Sequence, residues 1–151
     1  MQAAQSKERT NDEAQIQAII EDYAEGLRNK EPDRCVAHYA DDVVHFDLAP
    51  PLENRGKETA RKNLTEWFKT FRGPIELETK GLKISAGADA AFAYFFNHIG
   101  GTNTNGQKNN HWVRVTVGFE KTEGKWLVIH EHVSVPFYMD GSFKAALDLK
   151  P

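Results

Sequence analysis

One carboxylate in an unusual place is the first residue of this chain that could do chemistry. Asp47 lies in the run VVHFDL, residues 43–48, which otherwise reads as a β-strand entering the protein. Strands disfavour aspartate, and a buried carboxylate is costly unless a partner neutralises it or a reaction uses it. Apolar surroundings raise the pKa of a carboxyl group toward the range of a general base. Asp47 is therefore a candidate base, with a hydrogen-bonded structural carboxylate as the alternative.

Histidines raise a second possibility, a metal site. Among the side chains of metal-binding types, the possible ligand set is His45, His98, His130, His132, Asp47 and Glu131. Side chains alternate along a strand, so His130 and His132 should point away from the face that carries Glu131. The others come from separate strands and form no compact ligand motif. We therefore expect no metal and no other cofactor.

Composition narrows the class of protein. The chain has 151 residues and a net charge of −3, from 19 basic and 22 acidic residues, so no positive field favours nucleic acid. The single cysteine, Cys35, excludes an internal disulfide and fits a reducing compartment. No apolar run is long enough to serve as a signal peptide or to cross a membrane. We expect one cytoplasmic domain that binds neither membranes nor nucleic acid.

Two kinds of periodicity follow one another along the chain. Helical spacing of apolar residues predicts helices over residues 12–29, 33–39 and 57–73. From Ile75 onward, four runs rich in β-branched and aromatic residues predict a meander of long antiparallel strands. Helices followed by strands imply an α+β fold, with the helices on one face of the sheet.

Apolar residues occupy both faces of the last three predicted strands. An antiparallel sheet with one face in water alternates polar and apolar positions instead. One face should therefore cover the helices, and the other should meet a second copy of the chain. The sequence predicts a homodimer formed through the outer face of the sheet.

Particular stretches of the chain resemble a known family. YADDVVHFD, then RG opening the third helix, then EGKWLVIHEHVSVPF as the last strand are similar to the SnoaL-like branch of the nuclear transport factor 2-like superfamily. The resemblance covers about residues 11–138, leaving a peripheral C-terminal tail. It implies three N-terminal helices packed on a strongly curved antiparallel sheet, which forms a cone with an internal pocket.

Ketosteroid isomerases are the nearest enzymatic template within that superfamily. The resemblance places their catalytic aspartate at Asp47, nine residues before Gly56, and their oxyanion tyrosine at Tyr23. Their second oxyanion donor, a protonated aspartate, falls on Val115, which cannot donate a hydrogen bond. Loss of such a donor costs on the order of 3 kcal/mol of transition-state stabilisation, so steroid isomerase activity itself is not expected.

The same resemblance implies a set of pocket residues. Asp47, Tyr23, Glu131 and His98 are the candidate catalytic groups, and two carboxylates in one cavity should take separate roles as base and acid. Glu131 has an alternative role as the partner of His45 or His98 in a buried ion pair. The candidate substrate-binding residues are His45, Trp67, Phe92, Tyr94, Phe96, Val115, Val117, Ile129 and Val133.

Two functions remain open at this stage. The first is a cofactor-free isomerase, cyclase or lyase that uses acid–base chemistry on a small apolar carbonyl compound. The second is a non-catalytic ligand-binding or dimerisation domain of the same fold, since the chain also resembles the association domain of calcium/calmodulin-dependent protein kinase. The arginines of that domain are replaced here by Phe96, Val117 and Val133, which removes a carboxylate-binding version of the second function.

Overall fold

Helices precede the long strands along the chain, as the periodicity predicts. The computed structural model describes residues 1–151. The helices are α1 (Gln2–Arg28), α2 (Pro32–Cys35) and α3 (Lys57–Phe68). The strands are β1 (Tyr39–Phe46), β2 (Asn54–Arg55), β3 (Glu76–Ala86), β4 (Ala90–Thr102), β5 (Lys108–Thr122) and β6 (Lys125–Ser134). The predicted α+β class is confirmed.

The six strands form one open sheet in the order β2-β1-β6-β5-β4-β3. The four strands from β3 to β6 form the predicted antiparallel meander. The sheet as a whole is mixed, because β1 runs parallel to β6. This pairing joins segments far apart in the chain, so no hairpin turn in the sequence predicts it. It matters for function because it sets β1 beside the last strand.

The helix boundaries differ from those predicted. Helix α1 begins at Gln2, ten residues before the predicted start, because residues 2–10 are mostly good helix formers with no proline or glycine. Asp12 is therefore an interior residue of the helix. It lies buried within the helix and accepts hydrogen bonds from Lys121 Nζ and Trp126 Nε1, both at 3.0 Å. Helices α2 and α3 both end earlier than predicted. None of the helices is long and apolar enough to cross a membrane.

Strand β4 faces the opposite way from the prediction. Ala91, Ala93, Phe95 and Asn97 are buried on the inner face, toward the helices. The outward positions of the same strand are filled by Phe92, Tyr94, Phe96 and His98. The prediction that these four residues line the cavity is therefore wrong. Small alanines lie inside because the isoleucines of helix α1 pack into the same cluster.

Strand β6 changes face part-way along its length. Val128 pairs with Phe119, but the next pair is His130 with Gly118, so Ile129 is an extra residue without a partner. Such a bulge reverses which side chains point inward. Ile129 is exposed on the outer face and does not line the cavity, contrary to the prediction. Glu131 is buried on the inner face beyond the bulge.

Two neighbouring phenylalanines on β4 test this assignment of faces. Phe95 is 6% exposed and Phe96 is 38% exposed. Phe95→Ala should lower the free energy of unfolding by about 3–5 kcal/mol, because it leaves a cavity in the core. Phe96→Ala should cost less than about 1 kcal/mol in dilute protein, since its ring already meets solvent. Urea denaturation measures both, and equal losses would contradict the assignment.

Candidate active site

A cavity of about 420 Å³ lies between the inner face of the sheet and helices α1 and α3. Hydrophobic residues make up 13 of its 24 lining residues, so it is a mainly apolar chamber with a few polar groups. The exposed segment 47–51 forms part of its rim. The chamber has the size and character of a site for a small organic molecule.

Glu131 is a buried carboxylate that lines the chamber. Strands β1 and β6 are parallel neighbours, and their register sets His45 directly beside Glu131. The Tyr39 hydroxyl donates a 2.6 Å hydrogen bond to Glu131 Oε2, and His45 Nε2 lies 3.1 Å from the same oxygen. The side chains of His45 and Glu131 are only 14% and 8% exposed. The alternative role predicted for Glu131, an ion pair with His45, is what the structure contains.

His45 makes this contact at an unfavourable angle. Its Nε2 is within ion-pair distance of Glu131, yet this buried atom has no aligned hydrogen-bond acceptor in the protein. Native proteins seldom leave buried polar atoms in this condition without a functional reason. The charge of Glu131 therefore holds the ring in place, while Nε2 still lacks a well-directed partner.

The two charged groups of this pair stabilise one another. Burial alone raises the pKa of Glu131, but the close contact and charge of His45 and the hydrogen bond from Tyr39 outweigh it, and the net pKa is lowered. Burial alone lowers the pKa of His45, but Glu131 and the more distant charge of Asp47 outweigh it, and the net pKa is raised. Glu131 is thus an ionised carboxylate. The two carboxylates were expected to take separate roles as base and acid, and the pKa of Glu131 is lowered rather than raised, because His45 and Tyr39 contact it.

Two phenols surround Glu131. The rings of Tyr23 and Tyr39 stack with centroids 6.2 Å apart. Burial, and then the negative charge of Glu131, raise the pKa of both hydroxyls well above the ordinary value. Both residues therefore remain neutral hydrogen-bond donors. Tyr23 lines the cavity, as predicted, and Tyr39 lies behind Glu131, where it was not predicted.

Asp47 lies at the rim of the chamber, outside the strand. Strand β1 ends at Phe46, so the expected conflict between aspartate and strand does not arise. The side chain is exposed, and its Oδ1 accepts a 2.7 Å hydrogen bond from the Leu48 backbone N–H. It lines the same cavity as His45, two residues earlier in the chain. Asp47 is thus a solvated carboxylate beside a deeper imidazole.

Some of the remaining predicted residues line the chamber and the others lie outside it. Trp67, Val115 and Val133 line the chamber with His45, Asp47, Tyr23 and Glu131. Val117 lies behind the chamber, in a small apolar recess shared with Tyr39 and Phe119. His98 lies on the outer face, where its Nε2 is 2.6 Å from Asn110 Oδ1, so it cannot return a proton inside the cavity. Phe92, Tyr94, Phe96 and Ile129 are outside as described above.

The chamber has a second polar region, whose residues were not predicted from the sequence. Asn97, His111 and Asn109 line the wall formed by β4 and β5. Burial and the nearby His98 lower the pKa of His111, so this imidazole favours its neutral form. Strand alternation could have located Asn97, had Phe95 rather than Phe96 been assigned to the inner face.

The outward histidines of β6 contact one aromatic ring. The rings of His130 and His132 lie edge-on to Phe46, with centroids 4.7 and 5.4 Å away. His130 Nδ1 is also 2.8 Å from the Val44 carbonyl oxygen. No group of three or more metal-binding side chains occurs in the structure.

Comparison with known proteins places the chain in a family. The model of the SnoaL-like domain matches residues 16–138. The chain belongs to the SnoaL-like family. An NTF2-like protein of unknown function from Pseudomonas putida KT2440 is 33% identical to this SnoaL-like protein, with a TM-score of 0.81 over 100% of this chain and 99% of that one. No curated protein matches the chain.

Two more distant structures show the same fold. A proposed scytalone dehydratase from Novosphingobium aromaticivorans DSM 12444 is 17% identical, with a TM-score of 0.78 over 93% of this chain and 95% of that one. A protein with a cystatin-like fold from Nostoc punctiforme is 18% identical, with a TM-score of 0.68 over 83% and 91% of the two chains. At these identities the likeness concerns the fold alone.

Proposed function

We propose that this SnoaL-like protein is an acid–base enzyme of the isomerase, cyclase or lyase type, acting on a small, mainly apolar carbonyl compound. The observation that carries the proposal is the buried pair of His45 and Glu131 at the base of an apolar chamber whose rim carries Asp47. An imidazole whose cationic form Glu131 favours and a separate carboxyl group at the rim of the same cavity can serve as an acid and a base.

The proposed reaction begins with enolisation. Asp47 takes a proton from the carbon next to the carbonyl, and the electrons of that C–H bond form a carbon–carbon double bond. The carbonyl oxygen receives a proton from His45, whose cationic form Glu131 stabilises. Tyr23, a neutral phenol, donates a hydrogen bond to the developing oxyanion. If the substrate has a carbon–carbon double bond next to the reacting carbon, the enol is conjugated; it takes the proton back from Asp47 at the far carbon of that system, its hydroxyl proton returns to His45, and the result is isomerisation. If the substrate has a leaving group on the β-carbon, the enol hydroxyl returns its proton to His45, the carbonyl reforms, and the leaving group departs with the electrons of its bond, which is elimination.

The elimination branch is supported by the names of related folds. A protein from Streptomyces avermitilis in the NTF2-like family is named as a proposed dehydratase, as is the Novosphingobium protein described above. Loss of water from a β-hydroxy carbonyl compound needs one group to remove a carbon-bound proton and another to protonate the departing hydroxyl. Asp47 would remove the carbon-bound proton, and His45 would protonate the departing hydroxyl with the proton that the enol hydroxyl returns to it.

Exchange of carbon-bound hydrogen for deuterium tests the proposal without knowledge of the natural substrate. The wild-type protein in D₂O should accelerate loss of the methyl proton signal of 2-acetylnaphthalene, followed by NMR. Asp47→Asn should reduce that acceleration by about a hundredfold or more, because it removes the base. Its melting temperature should stay unchanged, since Asp47 is exposed and contacts only the Leu48 backbone.

The matched control for that experiment is Asp42→Asn. Asp42 is also an exposed aspartate of the β1 region, but it does not line the cavity. Its exchange rate should equal that of the wild-type protein. Ligand binding without any exchange above the buffer rate would replace the proposal with the non-catalytic binding function.

We also propose that the protein is a homodimer joined through the outer face of its sheet. Phe92 and Tyr94 are each 50% exposed, and Phe96 and Phe46 are each 38% exposed on this face. One row of paired residues crosses four neighbouring strands and consists of Tyr94, Thr116, His132 and Phe46. An exposed apolar surface that spans neighbouring strands marks an interaction site, and a two-fold axis would set this surface against itself.

A further inference from the structure

The second polar region of the chamber contains a side-chain amide that uses only one of its two ends within the protein. Asn97 on β4 is only 6% exposed, although it lines the cavity. The Thr79 hydroxyl donates a 2.7 Å hydrogen bond to Asn97 Oδ1 from the neighbouring strand β3, where the two residues are register partners. In this arrangement Thr79 occupies the oxygen end of the amide, and the nitrogen end is the one left toward the chamber.

The other end of that amide has no partner. Asn97 Nδ2 carries two N–H groups and donates to no acceptor within the protein. His45 Nε2 is the only fully buried side-chain polar atom without a partner, so the Asn97 nitrogen is instead accessible from the chamber that the residue lines. Because the residue lines a chamber of about 420 Å³, a bound molecule can supply the missing acceptor.

Charge limits which acceptor that molecule carries. None of the 24 lining residues is lysine or arginine, whereas Asp47, Glu66 and Glu131 are carboxylates. The histidine nearest to Asn97 in this wall, His111, has a lowered pKa and favours the neutral form. A carboxylate or phosphate would meet no fixed positive charge here, and burying it unpaired would be costly. An uncharged oxygen has no such penalty.

The two polar regions lie far enough apart to bind opposite ends of one molecule. Glu131 pairs with Val117 on β5, and Asn97 pairs with Val113 on the same strand. Four residues along β5 correspond to about 13 Å, and the two strand spacings from β6 to β4 to about 10 Å. Trp67, Val115 and Ile99 are among the apolar residues that line the same chamber.

We propose that Asn97 is a specificity-determining residue that binds a second, uncharged oxygen function of the ligand, such as a carbonyl, ether or hydroxyl, at the end remote from His45 and Glu131. The ligand is then an uncharged, mainly apolar molecule with oxygen atoms at both ends. This inference deepens the function proposed above and rests on it for the role of the cavity, but it concerns binding and requires no turnover.

Three probes of one shape test the inference: 2-acetylnaphthalene, its 6-methoxy derivative and its 6-carboxylate. Fluorescence titration of the wild-type protein should give about fivefold or more tighter binding of the methoxy compound than of the parent, the effect of one added hydrogen bond. The carboxylate should bind at least about tenfold more weakly than the parent. Asn97→Leu should remove the preference for the methoxy compound and leave affinity for the parent within about twofold.

Two further variants separate recognition from folding. Asn97→Asp keeps an acceptor for Thr79 but replaces the free donors, so it should also lose the methoxy preference while remaining folded by circular dichroism. Asn110→Leu changes an amide on the outer face and should bind all three probes as the wild-type protein does. Four results would each overturn the inference. The first two are equal affinity of the wild-type protein for the parent and methoxy probes, and a methoxy preference that survives Asn97→Leu. The other two are tight binding of the carboxylate probe, and failure of every probe to bind.

The same samples distinguish failure of recognition from failure of catalysis. A methoxy preference that depends on Asn97, with no deuterium exchange in the probe, would support the specificity role and refute the proposed acid–base function. Deuterium exchange that depends on Asp47, without any methoxy preference, would support the acid–base function and refute the specificity role of Asn97.

Discussion

Glu131→Leu is expected to lower the free energy of unfolding by about 3–5 kcal/mol at pH 6, the range measured when one partner of a buried ion pair is removed. The substitution leaves the buried His45 ring and the Tyr39 hydroxyl without the oxygen that both contact. Urea denaturation measures the loss. The leucine fills a similar volume, so cavity formation adds little to the effect.

Glu131→Gln is the matched variant for this prediction. Its amide oxygen can still accept the hydrogen bond from Tyr39, but it carries no charge for His45. Its loss of stability should fall between those of the wild-type protein and Glu131→Leu. Replacement of Glu120, an exposed glutamate on β5, by leucine should change stability by less than about 1 kcal/mol. A loss below that size for Glu131→Leu would show that the pair is not a structural unit.

The stability that this pair contributes depends on pH in a defined direction. The pKa of His45 is raised above its ordinary value of 6.5, so its contribution is complete below that value and is lost as pH rises through the higher folded-state pKa. The pKa of Glu131 is lowered below 4.5, so its contribution is complete above 4.5 and is lost as pH falls through the lower folded-state pKa. The stability difference between wild type and Glu131→Leu should therefore be largest between about pH 4.5 and 6.5.

Titration of the His45 ring by NMR checks the same interaction at one residue. In the wild-type protein its pKa should exceed 6.5. In Glu131→Leu it should fall below that value, because burial still disfavours the cation and the compensating carboxylate is gone. A pKa that stays raised in the variant would assign the effect to another group.

Periodicity predicted the order of elements well because each signal is local. Apolar spacing in helix α1 and the aromatic runs of β4 and β5 depend on residues close in sequence. The long-range pairing of β1 with β6 has no local signal, yet it brings His45 beside Glu131. Sequence reasoning could name that pair as one alternative, but only the parallel register selects it over His98.

The faces of β4 and β6 were harder to predict for a different reason. Both faces of β4 carry large apolar residues, so alternation alone cannot decide whether Phe95 or Phe96 is buried. In β6 the bulge at Ile129 reverses the alternation within one strand. A template that assumes uninterrupted alternation of inward and outward side chains assigns the wrong face to residues on one side of such a bulge. The predicted cavity residues that proved to lie outside follow from these two ambiguities.

Tyr94→Glu should weaken the proposed homodimer by about a hundredfold or more. Tyr94 lies in the row that crosses the outer face, and it is 50% exposed in the single chain. A two-fold interface would bury the new carboxylate from each copy near its equivalent, and like-charge contact of this kind costs several kcal/mol, with each 1.4 kcal/mol equal to about tenfold in affinity. Sedimentation equilibrium over a range of protein concentrations measures the change.

Gln17→Glu is the control for this experiment, because it adds the same charge at an exposed position of helix α1, remote from the outer face of the sheet. It should leave the dimer constant unchanged. A wild-type protein that sediments as a monomer at high micromolar concentration, or a Tyr94→Glu variant that remains as dimeric as the control, would refute the interface. Either result would leave the row of side chains on the outer face free for another partner. The fold itself would be unaffected, because the packing of the inner face on the helices does not depend on that row.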